Sequence, residues 1–416
     1  MTKSNMTNST ATLDKKIKYL GMDVHKETIA VAIAEEGREG RLWFYKTISH
    51  DLHAVEKLIQ ELREKGEYQL VVCYEAGSTG FVLARRLIAM GVECLVVAPS
   101  KIAKESGDKV KTDKRDAVKL ARLLRAGELK GIHIPDARDE AVRDLGRART
   151  DAVEDLRRLR QQLKAFLLRN GYKYSGKSSW TQAHMRYLRE LVLAEPAQKL
   201  VLEETLQAID LGEQRQKRIE EHMELVVRQW RMRPVVEALQ CLRGVAFIGA
   251  TVLVSELGDL RRFEDPRQLM AFLGLVTKEN TSGERRRQGS ITKCGNGHVR
   301  KFLIEAAHHY RLSPKVSKEL SKRQEGQSRR LLGMSWEAQN RLHRRTWKLM
   351  NRGLMTPKIV VAVARELSGF IWAIMREALE PGSVAIRSPR LNPSPKEHAR
   401  QIEYTLRRSQ KEKATD

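Results

Sequence analysis

Short apolar runs broken by polar turns open the chain. In IKYLGMDVHKETIAVAIAEEG, from Ile17, two β-type runs flank the polar stretch His25–Glu27, the pattern of a hairpin. A third strand is predicted over Arg41–Ile48 and a helix over Leu52–Lys65. QLVVCYEAG is a buried strand ending at Glu75, and VECLVVAPS is another, after a helix near Phe81–Met90. Thr112 is placed to cap a helix that Gly127 ends. Strands alternating with helices imply an α/β domain whose mixed or parallel sheet carries helices on it.

The period then changes. From Asp139 to about Arg169, Val142, Leu145, Val153, Leu156, Leu159, Leu163 and Phe166 follow three-and-four spacing with a charged outer face, an amphipathic helix. After the polar break NGYKYSGKSSW, helical stretches are predicted at Leu188–Leu193 and Lys199–Gln229, forming a helical hairpin or coiled-coil arm. Such an arm is a dimerisation element or a rigid spacer, and carries no chemistry of its own. At LQCLRGVAFIGATVLVSELGDL, Gly244 and Gly249 bracket a short turn before an apolar helix, resembling a helix-hairpin-helix with Ala246 where a middle glycine is usual; a helix-packing glycine turn fits about as well. TPKIVVAVARELSGFIWAIMREAL is a packing helix near the end. The expected organisation is an N-terminus without order (1–16), an α/β domain (17–135), a helical spacer (136–232), an all-α domain (233–380) and a basic tail (381–416).

Composition narrows the partners. The chain of 416 residues holds 77 Lys and Arg against 52 Asp and Glu, a net charge of +25. An excess of that size points to a polyanion, because each neutralised phosphate releases counterions. No stretch is apolar enough to span a bilayer, and neither an amphipathic anchor nor a lipidation signal stands out. Cys73, Cys94, Cys241 and Cys294 form no C-x-x-C pair, so neither a zinc site nor a disulfide framework is expected and a reducing cytoplasm fits.

Four acids stand where a sheet would gather them. Asp23 interrupts an apolar strand, an expensive place for an acid unless it is used or paired. Glu75 ends a later strand, and Asp113 and Asp116, three apart, share a helix face. Hard carboxylate oxygens converging on one pocket suit Mg²⁺ or Mn²⁺, which would orient a phosphate and stabilise charge on phosphorus. Taken alone, the spacing of Asp113 and Asp116 favours a solvated helix face, paired with Lys114, Arg115 or Lys119, and Glu75 fits an ordinary strand end; the four acids together favour the metal.

The stretch VTKENTSGERRRQGSITKCGNGHVRKFL combines serines, glycines and cations before a helix. Asn296 is a candidate cap, and the first free amides of that helix, with Lys293, Arg300 and Lys301, suit a phosphate. Arg285, Arg286 and Arg287 add fork-shaped contacts. The residues by themselves do not choose between Ser282 and Ser290; Ser-Gly is an ordinary turn pair, and most loop serines do no chemistry. Further on, Arg311–Arg352 carries twelve Lys or Arg against three Glu, an imbalance that favours nucleic acid over a merely solvated face.

YLGMDVHKETIAVAI, VVCYEAGSTGF and KTDKRDAVKLARLL resemble the three acidic blocks of the IS110-family transposases. The later segments Gly274-Leu275, Ser282-Gly283 and GSITKCGNGHVRKFL resemble that family's C-terminal pattern, and together the resemblance covers about Tyr19 to Ala306. It implies an RNase H-like (RuvC-like) first domain whose DEDD tetrad falls on Asp23, Glu75, Asp113 and Asp116. It also implies a catalytic serine at Ser282, with Ser290, Thr292, Lys293 and Asn296 in a phosphate-binding block. The implied reaction is metal-dependent DNA strand exchange through a phosphoserine–DNA intermediate, by a homo-oligomer guided by a noncoding RNA of the element. Whether the tetrad and Ser282 meet between subunits is left open. The alternatives are a RuvC-like nuclease that hydrolyses branched DNA and leaves Ser282 idle, an actin-like ATPase or sugar kinase suggested by GMDVHKETIAVAI, and a non-enzymatic nucleic-acid scaffold.

Overall fold

The computed structural model describes residues 16–103, 112–282 and 287–380. Its chain falls into two compact units, Met1–Ala137 and Arg138–Asp416. The predicted terminal segments, apart from Lys16, and Arg285 and Arg286 lie outside the described residues.

The first unit is built on β1 (Ile17–Val24), β2 (Thr28–Glu35), β3 (Leu42–Ser49), α1 (Leu52–Glu64), β4 (Gln69–Glu75), α2 (Val82–Ala89), β5 (Glu93–Val97) and α3 (Asp113–Arg125). The strands form one mixed sheet in the order β3-β2-β1-β4-β5. β1–β2 and β2–β3 are antiparallel, whereas β1–β4 and β4–β5 are parallel. The hairpin and the three further strands expected from alternation are therefore present, each within a few residues of its sequence bounds.

The two faces differ in a way that decides where the acids go. Successive strand residues alternate between faces. Leu20 and Met22 join Ile29, Val31, Ile33, Leu70, Val72 and Tyr74 in a core closed by Val55, Leu58, Ile59 and Leu62 of α1 and by α2. The opposite face of β2 offers only Ala30, Ala32 and Ala34, packed against Ala117 and Ala121 of α3. Small side chains on both partners bring α3 unusually close. At Gly21 the approach is closest, because a Cβ there would fall inside contact with the Ala117 carbonyl oxygen and the Ala121 amide. Gly21→Ala is accordingly expected to destabilise the protein by about 3 kcal/mol, since helix backbone cannot swing aside as a side chain can. Chemical denaturation checks this; a midpoint shift equal to that of an exposed Gly77→Ala control would show that α3 is not held there.

In the second unit, α4 (Ala137–Arg169), α5 (Gln182–Glu190) and α6 (Pro196–Arg228) make the arm. Arg149–Glu220 (2.8 Å) and Arg160–Glu213 (2.5 Å) pair α4 antiparallel to α6. Leu156, Leu163, Leu167, Leu188, Leu202, Leu206 and Ile209 fill the seam. The helix expected at Leu188–Leu193 starts earlier, where Thr181 caps it by accepting from the His184 amide (3.3 Å), and stops at Glu190, as Leu191 takes an extended backbone.

α7 (Arg233–Leu239), α8 (Phe247–Leu257), α9 (Pro266–Phe272), β6 (Thr277–Glu279), β7 (Gln288–Ile291), α10 (Gly297–Ala307), α11 (Lys318–Gln324), α12 (Arg329–Met350) and α13 (Thr356–Leu379) follow. α13 is central: Val363, Leu367 and Ile371 pack with Leu239, Leu253, Leu303 and Leu342 of its neighbours. Gly249 does not bound the α7–α8 turn as expected. It lies inside α8, where a Cβ would strike the Phe302 ring of α10. Among the described residues no helix is long and apolar enough to cross a membrane.

Candidate active site

Asp23 is the penultimate residue of β1, on the α3 face, two residues beyond Gly21. The last register pair between the parallel strands β1 and β4 is Met22 with Tyr74, so Asp23 and Glu75 are the next residues along adjacent strands. Thr112 caps α3, its hydroxyl accepting from the Arg115 amide (3.4 Å), which sets Asp113 and Asp116 in the first turn. Carboxylates there also complement the positive end of the helix dipole. The approach of α3 to Gly21 brings its start to the end of β1.

His25, on the turn after β1, ties these acids together. Its Nε2 lies 3.2 Å from Asp23 Oδ2 and 3.4 Å from Asp113 Oδ1. One ligand atom from each of Asp23, His25 and Asp113 falls within 4.8 Å of the others. Burial pushes the Asp23 carboxyl up; His25 pulls it back, and Asp116 and Asp113 repel it upward again. Asp116 is thus near enough to be felt, while Glu75 is exposed at the same end of the sheet; neither belongs to the close trio. Acids that raise one another's proton affinity are a set that a divalent cation would relieve. The two carboxylate oxygens suit a hard divalent cation such as Mg²⁺ or Mn²⁺ with room for water and phosphate, whereas the imidazole is a softer donor. Sequence reading passed over His25 as hairpin polarity; its signal was the Asp-x-His spacing at a strand end.

Ser282 lies on a small hairpin rather than in a featureless loop. β6 and β7 pair antiparallel, Thr277 with Ile291 and Glu279 with Gln288, and the Asn280 amide donates to the Arg287 carbonyl (2.9 Å). Thr281 donates to Glu279 (3.1 Å), and Ser282 follows, exposed. Arg287, Ser290 and Lys293 are exposed on the returning strand and beyond it.

The base of the hairpin is locked to the start of α10. The Thr292 amide donates to the Val276 carbonyl (2.9 Å) and the Lys293 amide to that of Gly274 (3.2 Å). Lys293 itself takes a left-handed backbone, φ 56°. At Gly295, φ 71°, a Cβ would collide with the Phe272 carbonyl, so only glycine fits. Asn296 caps α10 by accepting from the Val299 amide (3.1 Å) and donates to Glu256 (2.6 Å). Arg147 grips Glu256 through two bonds of 2.7 and 3.0 Å. Burial would raise the Glu256 carboxyl, but Arg147 and Asn296 hold it below the ordinary range.

Several expected phosphate ligands therefore have internal partners. Arg300 donates to the Leu273 carbonyl (2.9 Å) and the Cys294 carbonyl (3.0 Å), and Lys301 pairs with Glu154 (3.2 Å). Thr292 Oγ1 is covered and has no partner among the described residues. Arg287, Ser290 and Lys293 remain the outward-facing members of the set.

Residues 20–170 match the family model of the DEDD transposases of IS110 type, described as a transposase. Residues 236–322 match the transposase IS116/IS110/IS902 family. The chain is 43% identical over 378 residues to the "Putative transposase y4qE" of Sinorhizobium fredii (strain NBRC 101917 / NGR234), covering 91% of this chain and 93% of the relative. It is 32% identical over 335 residues to the transposase for insertion sequence element IS1533 of Leptospira borgpetersenii, covering 80% and 96%. The transposase for insertion sequence element IS1111A of Coxiella burnetii (strain RSA 493 / Nine Mile phase I) is 22% identical over 295 residues, covering 70% and 78%.

Proposed function

Because this chain belongs to the IS110 family of transposases, we propose that it cuts and rejoins DNA through a covalent phosphoserine intermediate on Ser282, its acids binding a divalent metal and an RNA of the element guiding it. The observation that carries the serine reading is the presentation of Ser282: exposed, on a hairpin whose base is tied by backbone bonds to the capped start of α10. A nucleophile gains most from being held in place, and this one stands on a fixed footing.

In the proposed step Ser282 Oγ forms a bond to phosphorus as a P–O bond to one deoxyribose breaks. The hydroxyl proton passes to solvent or a neighbouring base, and the departing oxygen is protonated. A second DNA hydroxyl then attacks the phosphoserine, restoring Ser282 and a phosphodiester. Phosphoester bonds are conserved throughout, so no nucleoside triphosphate is consumed. Arg287, Ser290 and Lys293 would hold the flanking phosphates, with Arg285 and Arg286 joining them, while Asn296, Arg300 and Lys301 keep the start of α10 in place. Asp23 and Asp113, with Asp116 and Glu75 completing the set, would hold Mg²⁺ or Mn²⁺, which supplies charge stabilisation at phosphorus when bound. We further infer that the first unit is RNase H-like, a reading supported by its mixed sheet with acids at the ends of β1 and β4 and at the head of α3. The net charge of +25 supports a nucleic-acid partner, and the long arm of α4 and α6 supports self-association.

A hydrolytic nuclease is the second reading. It is favoured by His25, an exposed imidazole beside two carboxylates, suited to taking a proton from water. The decisive assay mixes the protein, RNA transcribed from the element, labelled element-end DNA and Mg²⁺, then denatures the mixture. A label that stays with the protein supports transesterification. Cleaved DNA that runs entirely free of protein selects hydrolysis.

A further inference from the structure

The end of α12 and its turn into α13 form a surface that the proposed reaction does not use. Trp347 is 48% exposed there, beside Met350 at 45%, Leu354 at 38% and Met355 at 63%. A large aromatic left this open on a helix otherwise packed on its inner face, through Ala338, Leu342 and Leu349, needs a reason. The His343 ring stands edge-on to the indole, with centroids 6.1 Å apart, and its Nδ1 is 3.2 Å from the Tyr310 carbonyl, which fixes the imidazole.

Charge decides the occupant. Between Glu337 and Glu366 the chain has no acid and seven Lys or Arg. Arg341 and Arg345 share Glu366 at 3.2 and 3.1 Å, so these two are engaged within the fold. Lys348 and Arg352 are exposed, have no ion pair among the described residues and follow Trp347 within five residues; Arg344, one turn earlier, gives its Nε to the Asn340 carbonyl (3.3 Å) and acts on Glu337. A second copy of this chain would find apolar surface there but must bury these cations. A polyanion with flat apolar faces satisfies both features.

We propose that this corner binds an unpaired nucleotide of a nucleic-acid strand, the base stacking on Trp347 and the adjacent phosphates meeting Lys348 and Arg352. Aromatic stacking needs a base out of its helix, so the site selects single strands, bulges or flipped ends over continuous duplex. DNA and RNA share this chemistry. The proposal rests on the chain acting on nucleic acid, but not on Ser282 or the four acids.

The test measures binding by fluorescence anisotropy with the full chain in EDTA, so that cleavage does not intervene. The probes are a labelled single-stranded DNA, an RNA of the same sequence and the DNA duplex. Trp347→Ala should weaken single-strand binding by about tenfold while leaving the duplex unchanged, and Trp347→Phe should keep most of the affinity. Lys348→Ala with Arg352→Ala should reduce the slope of log affinity against log salt by about 1.4, two phosphates' worth. The ratio between the DNA and RNA arms identifies the natural strand. Equal losses on single strand and duplex, no loss at all, or an altered sedimentation coefficient in Trp347→Ala would each overturn the proposal, the last by making the corner a protein interface. Failure of the covalent-adduct assay would leave this result standing.

Discussion

Asp23→Asn is expected to abolish strand cleavage, by about a thousandfold or more, while making the protein more heat-stable at neutral pH. The two effects have one cause. Asp23 is partly buried at the end of an apolar strand, and burial raises its carboxyl above the ordinary value. His25 opposes the rise, while Asp116 and Asp113 add to it. A carboxyl whose folded pKa is raised binds its proton more tightly in the native state. Stability from that proton is fully present below the unfolded value and lost as pH rises through the folded one. Above the folded pKa the wild type carries an ionised acid among acids, and the neutral amide does not. The variant should melt higher there, and the gap should close as pH falls through the folded pKa toward the unfolded one. Mg²⁺ should raise the melting temperature of the wild type and not of the variant, because only the wild type keeps the full donor set. Scanning calorimetry at several pH values, with and without Mg²⁺, reads all three. A variant that cleaves DNA normally would remove Asp23 from the reaction, and one that is less stable at pH 7 would show that its ionised form is already well compensated.

How far the sequence announced this site depends on the kind of interaction. Alternation along β1 and β4 was legible, and so was the position of Asp23 in an apolar run, because strand period is a local property. The start of α3 was legible from Thr112 and its end from Gly127. The partner face of α3 was not: it depends on Ala30, Ala32 and Ala34 meeting Ala117 and Ala121 across Gly21, and small residues carry no periodic signal of their own. His25 was missed for a related reason. A histidine in a polar turn is ordinary until Asp113, 88 residues later, is brought to 3.4 Å from it. In the second unit the loop around Ser282 gave no strand pattern because the residues of β6 are all exposed, as are those of β7 up to Ile291, so no apolar alternation marks them. The roles of Arg300 and Lys301 were equally hidden. One is spent on the Leu273 carbonyl, 27 residues earlier, and that of Cys294, the other on Glu154, 147 residues away.

Ser282→Ala is expected to remove the covalent protein–DNA adduct entirely while leaving the fold and DNA affinity intact. The side chain is exposed, and an exposed substitution of this kind changes stability within about 0.5 kcal/mol. Any large effect must then be chemical. Ser290→Ala separates the two serines that the sequence alone did not rank. Ser290 faces outward on β7, four residues before Cys294 and the turn into α10, where a hydroxyl can hold a phosphate but has no independent presentation as a nucleophile. That variant should keep the adduct and bind element-end DNA a few-fold more weakly, the loss of about one neutral hydrogen bond. If the adduct survives Ser282→Ala and vanishes in Ser290→Ala, the nucleophile is on the returning strand and the hairpin tip is a clamp. If it survives both, the linkage is carried by another group, and mass spectrometry of the DNA-linked peptide would name it directly. The predicted pattern, lost in the first and kept in the second, requires that the hairpin exist to hold one hydroxyl out to the DNA, which accounts for why so polar and glycine-rich a segment is anchored by backbone hydrogen bonds at its base.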